Sequence, residues 1–406
     1  MKIFEIGTGY TSIPARMGAA TEIVVAELTT SMQKLGEDVT IVDIKDKNRM
    51  PIRLPITEAY MPQFFSSTDI KLGIVHKLKR VLYSVSLTHK LHTLIRRNRG
   101  KQIMLHFHNQ YNLFFFLKLT PKLMLKNVNI GYTVHSYIWF GKWEEVKDSI
   151  AKRYFQEVYC CRHADKVFVL NEIVAHMLTE HYDVPTERII PVINGVNVDV
   201  YNDKAADKFA VDSLRDKYGL IGKRVVLQVG SVCDRKNQLG TFKLLLPMMK
   251  CQNDIAFIYA GGIIDTEYAA NIQQLAELEG VKDRVLYMGE VVPGKQLNEL
   301  YALADVAFMN SKSEAFALVI AEALAARKPI FICETIMRSL FFLGEKEGEG
   351  IIRVKDSFEA DFERLFTDKA YYKEMQERGR NFIVNEYSWD IAARIYIDSF
   401  KKQSLQ

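Results

Sequence analysis

SKSEAFALVIAEALAARKP, residues 311 to 329, is the stretch on which the fold turns. It follows the strand-like run Val306-Ala-Phe-Met309, and a helix with an Ala/Leu face starts inside it, the pattern of a strand-to-helix turn in a parallel α/β sheet. At such a turn the first backbone N–H groups of the helix lack internal partners and, with the helix dipole, form an anion site. Ala315 and Ala317 are small enough for a phosphate to approach that backbone. Glu314 stands just before the helix and Glu322 two turns inside it, roughly 80° apart around the axis, so both carboxylates can face one crevice. Such a pair beside a phosphate suits sugar hydroxyls, because each ionised oxygen accepts strong hydrogen bonds. The spacing equally suits a helix-start acid favoured by the dipole and a solvated helix residue.

A chain of 406 residues exceeds one ordinary core, and two domains are expected. The composition, 48% hydrophobic and 25% charged, is that of a globular protein and excludes a largely disordered one. The cysteines Cys160, Cys161, Cys233, Cys251 and Cys333 show neither a Cys-x-x-Cys pair nor zinc spacing, which suits a reducing cytoplasm. The apolar run at the amino end is too short for a signal peptide, and no 18-residue apolar run is present. The net charge of +5 conceals an asymmetry: Lys71 to Lys126 holds 12 of the 54 basic residues and no acid, leaving 42 basic residues against all 49 acids elsewhere. The first half is therefore built to meet something anionic.

Residues 2 to 6 read as a strand, followed by a Gly/Ser/Thr-rich loop to Gly18, a helix from about Ala19 to Leu35 and a strand at Val39 to Val42. The Gly7-x-Gly9 pair is not continued at dinucleotide-binding spacing. Residues 76 to 97 and 111 to 127 interleave Leu and Phe114, Phe115 and Phe116 with lysines such as Lys118, Lys122 and Lys126. This is the pattern of a surface lying on an anionic membrane, or of core positions backed by a solvated basic face. Nucleic acid is disfavoured, because the aromatics sit in an apolar run rather than as spaced stacking platforms. Two short strands end in histidines, His108 and His135, and ligands of parallel sheets bind beyond such carboxyl ends. The βαβ pattern restarts at Arg224 to Gly230, with a loop, GSVCDRKNQ, that carries Arg235 and Lys236.

Taken together, these motifs resemble family 4 of the retaining nucleotide-sugar glycosyltransferases, of GT-B architecture. Glu314, Phe316, Leu318, Val319, Glu322, Ala323 and Pro329 match the family signature, whereas Ala315 and Ala317 replace glycines and Arg327 a small residue. Arg327 is left as either exposed or an added positive charge near the donor. Lys236 stands where the family places its loop lysine, and Ser231 replaces the usual arginine after Gly230, a role that Arg235 is placed to fill. The resemblance implies an α/β protein of two Rossmann-like doubly wound domains facing across a cleft. Residues 1–200 are the expected acceptor-binding domain, 201–385 the nucleotide-sugar-binding domain, and 386–406 a helix crossing back to the first.

It implies catalytic roles for Glu314, Lys236, Arg235 and His135. Donor contacts fall to Gly18, Gly230, Ser231, Val291, Ala315, Phe316, Ala317, Leu318 and Glu322, with Glu322 on the ribose and Glu314 on the donor sugar. His108 and Asn109 lie on the acceptor side. No metal and no cofactor are implied; the co-substrate is a nucleotide diphosphate sugar, UDP-sugar favoured, and the acceptor a saccharide, lipid-linked in view of the basic first half. The expected location is cytoplasmic, peripheral on the inner face of the cell membrane, in surface polysaccharide or glycan biosynthesis. Two alternatives stand beside this: a catalytically inactive homologue serving as a partner subunit, suggested by Ser231, Ala315, Ala317 and Arg327, and a nucleotide-sugar epimerase of the same fold.

Overall fold

The structure, a computed structural model, describes residues 1–14, 19–61, 74–136, 139, 143–314, 316–339 and 346–402, without the side chains of 74–76, 338, 339 and 402. The chain divides into two compact units, Met1–Gly195 with Trp389–Gln406, and Val196–Ser388. The sequence reading set its boundaries a few residues later, at 200, and earlier, at 385.

In the first unit the strands are β1 Lys2–Ile6, β2 Asp38–Ile44, β3 Ile56–Ala59, β4 Ile103–Phe107, β5 Val128–Val134, β6 Lys166–Val169 and β7 Ile189–Pro191. They pair in the order β3-β2-β1-β4-β5-β6-β7, all parallel. The sequence reading did not anticipate β3. The near-continuous apolar runs follow from burial on both faces of a parallel sheet, and β4 is buried along its whole length. Against that rule, Glu5 and His106 lie fully buried and directly opposite each other on β1 and β4.

The last helix, Trp389–Lys402, completes this unit. Lys34 Nζ meets Asp390 at 2.5 Å and Lys401 Nζ meets Glu37 at 2.6 Å. Its Tyr396 and Phe400 pack on His106, with ring centroids at 5.0 and 5.6 Å. Gly131 on β5 makes room for this packing, since a Cβ there would lie 3.0 Å from Phe168 and 3.3 Å from Phe400.

In the second unit β8 Arg224–Val229, β9 Ile255–Ala260, β10 Val285–Tyr287, β11 Val306–Met309, β12 Ile330–Ile332 and β13 Ile351–Arg353 form a parallel sheet in the order β10-β9-β8-β11-β12-β13. A helix Gln238–Cys251 follows β8, and an eight-residue helix, Leu318–Ala325, follows β11. Each sheet starts from a middle strand and winds outward both ways. Crossovers therefore diverge between β1 and β4 and between β8 and β11, opening a crevice at the carboxyl ends of those strands.

Phe400 is fully buried and in edge contact with Phe168 at 5.4 Å. Phe400→Ala is expected to cost the first unit about 3 kcal/mol, read as a lower urea midpoint with an unchanged slope.

Candidate active site

In the second unit the predicted residues converge on the crevice between β8 and β11. The loop after β8 bends at Gly230, whose φ of 147° favours glycine. A Cβ there would lie 3.2 Å from the Lys236 Cδ and Cε atoms, so the glycine lets the lysine stem lie across the backbone. Lys236 Nζ meets Glu314 Oε1 at 2.5 Å, and both side chains are largely buried. Arg235 reaches the same loop, donating to Ser313 O at 3.0 Å and standing 3.4 Å from Glu314 Oε1. Lys312 N donates to Arg235 O at 2.8 Å, and Gln228 Nε2 donates to Lys236 O at 2.6 Å. The two loops are thus tied together by backbone and charge.

Gln238, buried at the start of its helix, donates to Ser231 O at 3.0 Å. Next door, a Cβ on Gly261 would meet Gly230 O at 2.2 Å, and Gly262 lies against the Glu290 carboxyl. Val291 follows β10, on the β9 side of the site, and is half-buried.

Phe316 and Ala317 are buried ahead of the helix Leu318–Ala325, whose amino end carries no side-chain cap. Gly18 and Ala315 lie outside the described residues. Glu322 is held apart from Lys236: Tyr301 Oη donates to its Oε2 at 3.1 Å. Burial pushes its carboxyl up to about 7, against the hydrogen bonds of Tyr201 and Tyr301. Neither tyrosine was singled out from sequence; Tyr201 lies in a stretch that reads as linker. Arg327 is neither exposed nor an added charge for a ligand: it is partly buried, 2.7 Å from Asp203 and 3.2 Å from Glu377, which neutralise it.

In the first unit a second cluster occupies the crevice between β1 and β4. Glu5 accepts from His106 Nδ1 at 3.0 Å and from His108 Nε2 at 2.7 Å. His108 Nδ1 lies 2.9 Å from His135 Nε2, and His106 Nε2 lies 2.7 Å from Thr133 Oγ1. Burial alone would raise Glu5, but His106 and the ring N–H groups of His106 and His108 outweigh it and hold the carboxyl at about 2. Burial lowers His108 to about 4 and takes His135 well below its usual value.

Sequence reasoning found His108 and His135 but missed Glu5 and His106. Two signals were available: a lone acid in the apolar strand KIFEI, and a His-x-His alternation that puts both rings on one face. The ligand atoms of Glu5, His106 and His108 lie close enough to hold a metal ion, all within 4.8 Å, yet both rings turn N–H groups toward the carboxylate. Asn109 is spent largely on structure, its side-chain oxygen accepting from Tyr111 N at 3.0 Å and Asn112 N at 3.3 Å to cap the helix Gln110–Leu119.

A family model described as "Glycosyl transferases group 1" matches residues 211–382, and another, "Glycosyltransferase Family 4", matches residues 21–200. The chain is 25% identical over 260 residues to the alpha-galactosylglucosyldiacylglycerol synthase of Streptococcus pneumoniae, covering 63% of this chain and 65% of the synthase. It is 23% identical over 311 residues to the alpha-D-kanosaminyltransferase of Streptomyces kanamyceticus, covering 73% and 76%. These matches thus span about two thirds to three quarters of the relatives' length. In fold it is similar to Anabaena HepE in complex with UDP and glucose, with a TM-score of 0.71 at 13% identity, covering 99% of this chain and all of that one. The catalytic domain of starch synthase IV from Arabidopsis thaliana, bound to ADP and acarbose, gives 0.75 at 14% identity with full coverage of both. The two family models take in both parallel-sheet units, and the chain belongs to family 4 of the glycosyltransferases, with the GT-B architecture.

Proposed function

We propose that this glycosyltransferase moves a sugar, with retention at the anomeric carbon, from a UDP-sugar to a saccharide acceptor that is lipid-linked. The observation that carries the donor half is the Lys236–Glu314 pair at the crevice between β8 and β11, above Gly230 and beside an uncapped helix start. A leaving diphosphate gains negative charge as the glycosidic bond breaks. Fixed cations and N–H groups at that point stabilise the transition state more than the ground state. Lys236 and Arg235 supply the cations, so the charge that a divalent ion carries elsewhere is provided by side chains. Glu314 holds both cations in place and takes sugar hydroxyls on its remaining lone pairs. The displacement proceeds on one face of the sugar, assisted by the leaving phosphate, and needs no protein nucleophile. HepE was solved with UDP and glucose, which supports the choice of nucleotide.

The acceptor half rests on the first unit's charge and surface. On the helix Ile74–Arg97 the side chains of Leu78, Val81, Leu82 and Val85 form an exposed apolar stripe at helical spacing. Leu123 is 87% exposed beside a cavity of about 400 Å³ that Arg96, Arg99, Lys101 and Lys126 also line. Among the described residues none of those four cations forms an ion pair. Of the phenylalanines expected to face lipid, Phe116 is fully buried, and Phe114 and Phe115 are half-buried, Phe114 packing on Phe115, Phe155 and Tyr159. The apolar contact to a membrane falls instead to the aliphatic stripe and Leu123, with the cations on the headgroups. Among the described residues no helix is long and apolar enough to cross a membrane, in keeping with a cytoplasmic enzyme resting on the bilayer. The glycolipid synthase among the relatives supports a lipid-borne acceptor.

UDP is expected to raise the melting temperature of the intact chain without added metal, and Lys236→Ala to abolish the shift. Glu314→Ala is expected to keep the fold but lose transfer by at least about 100-fold in kcat; unchanged activity would point to a non-catalytic role. Ribose hydroxyls donating to Glu322 favour its ionised form, so nucleotide binding should lower a carboxyl held near 7 and release its proton. Calorimetry in buffers of different ionisation enthalpy should register that release just below neutral pH, with affinity rising as pH rises to about 7 and the effect absent in Glu322→Gln. Vesicles containing anionic lipid should bind the protein at low salt and release it as screening increases, with weaker binding by Leu123→Asp and none to neutral vesicles.

A further inference from the structure

The buried cluster of the first unit brings the Glu5 carboxylate and three imidazoles into contact, and with His108 neutral its hydrogen bonds admit one arrangement of protons along the arm that ends at His135. His108 is 4% exposed and its ring lies 4.2 Å from that of His106. Both rings share the single carboxylate of Glu5, which cannot neutralise two buried imidazolium ions; a second would stand uncompensated at several kcal/mol of cost. Burial and the adjacent His106 ring favour the neutral form of His108, with one N–H. An ionised carboxylate only accepts, so that N–H is on Nε2, 2.7 Å from Glu5 Oε2. Its Nδ1 is then a lone pair, and the 2.9 Å contact to His135 requires the hydrogen to sit on His135 Nε2. His135, half-buried just past the end of β5, is left with a lone pair on Nδ1, and no described residue donates to it. The depressed values of both histidines agree with neutral rings.

We propose that Glu5, acting through His108, fixes the tautomer of His135 so that its Nδ1 accepts a hydrogen bond from a sugar hydroxyl bound at the crevice of the first unit. The identity of that hydroxyl rests on the glycosyl-transfer function above; the tautomer is a property of the protein alone. An imidazole free in water exchanges its proton between both nitrogens. In the other form His135 would present an N–H, and the hydroxyl would accept from it instead of donating. The carboxylate removes that alternative, as a buried carboxylate fixes the histidine of a serine hydrolase, here with a second imidazole between them. Glu5 and His108 are positioning residues that never touch substrate. Thr133, linked to Tyr396 at 3.3 Å, closes the other arm at His106 Nε2.

The test is a long-range proton–nitrogen correlation spectrum of the intact chain with ring-labelled histidine at neutral pH. His135 is expected to carry its proton on Nε2 and to show an unprotonated Nδ1. A proton on Nδ1, or a mixture of both forms, overturns the proposal. Steady-state kinetics supply the second measurement. His108→Phe keeps the ring volume but removes both nitrogens, and it should lower kcat at least tenfold while the thermal shift with UDP persists. His108→Gln, which keeps a donor and an acceptor, should recover most of the loss; a folded His108→Phe with wild-type kcat overturns the proposal. If His108→Phe does not fold, the wild-type spectrum decides. A wrong tautomer in an active enzyme defeats only this proposal, whereas absence of transfer in the wild type defeats the hydroxyl assignment and the transferase function together.

Discussion

A parallel sheet whose first strand ends up in its middle must send its crossovers in opposite directions, and that constraint places the chemistry here. Between β1 and β4, and again between β8 and β11, neighbouring strands are followed by connections that part from each other. The carboxyl ends of those strands are left uncovered by their own helices. Glu5, His106 and His108 sit at the first divergence; Gly230, Lys236 and Glu314 sit at the second. Each unit thus repeats one topology and fills its crevice with different groups, charged loops in one case and a buried relay in the other.

Both clusters deal with the same electrostatic problem, a carboxylate taken out of water, and deal with it differently. Glu314 meets Lys236 and Arg235 and holds these cations close to the Gly230 backbone. Glu5 is compensated by ring N–H groups, which keep it ionised and impose a direction on every hydrogen bond beyond it. Among the described residues Glu322 meets tyrosine hydroxyls and no cation, and burial lifts its carboxyl to about 7. Three acids of similar chemistry thereby acquire three characters: a charged anchor, a proton director and a group poised to titrate.

The surface of the first unit adds a separate constraint. Its cations from Lys71 to Lys126 have no acids among them in sequence, and the aliphatic stripe Leu78, Val81, Leu82 and Val85 lies exposed on one helix face. Apolar exposure beside clustered positive charge is costly in water alone and favourable at an anionic bilayer. Of the phenylalanines nearby, Phe116 belongs to the core, and Phe114 packs edge-on against Phe155 and Tyr159.

The sequence by itself determined the two-unit parallel α/β plan, since alternating strands and helices and the restart at Arg224 are local patterns set by period and composition. It also marked Glu314 and Glu322 as candidates by their spacing within one segment, and Lys236 by its place in the loop after Gly230. Tertiary structure alone decided which groups each acid meets. Glu5 and His106 are 101 residues apart and become neighbours only through the pairing of β1 with β4. Tyr301 reaches Glu322 across 21 residues, Arg327 finds Asp203 across 124, and Tyr396 closes on Thr133 across 263. Local periodicity shows where a side chain points; its protonation and pairing depend on partners that long-range strand order brings near, and no local pattern encodes that order.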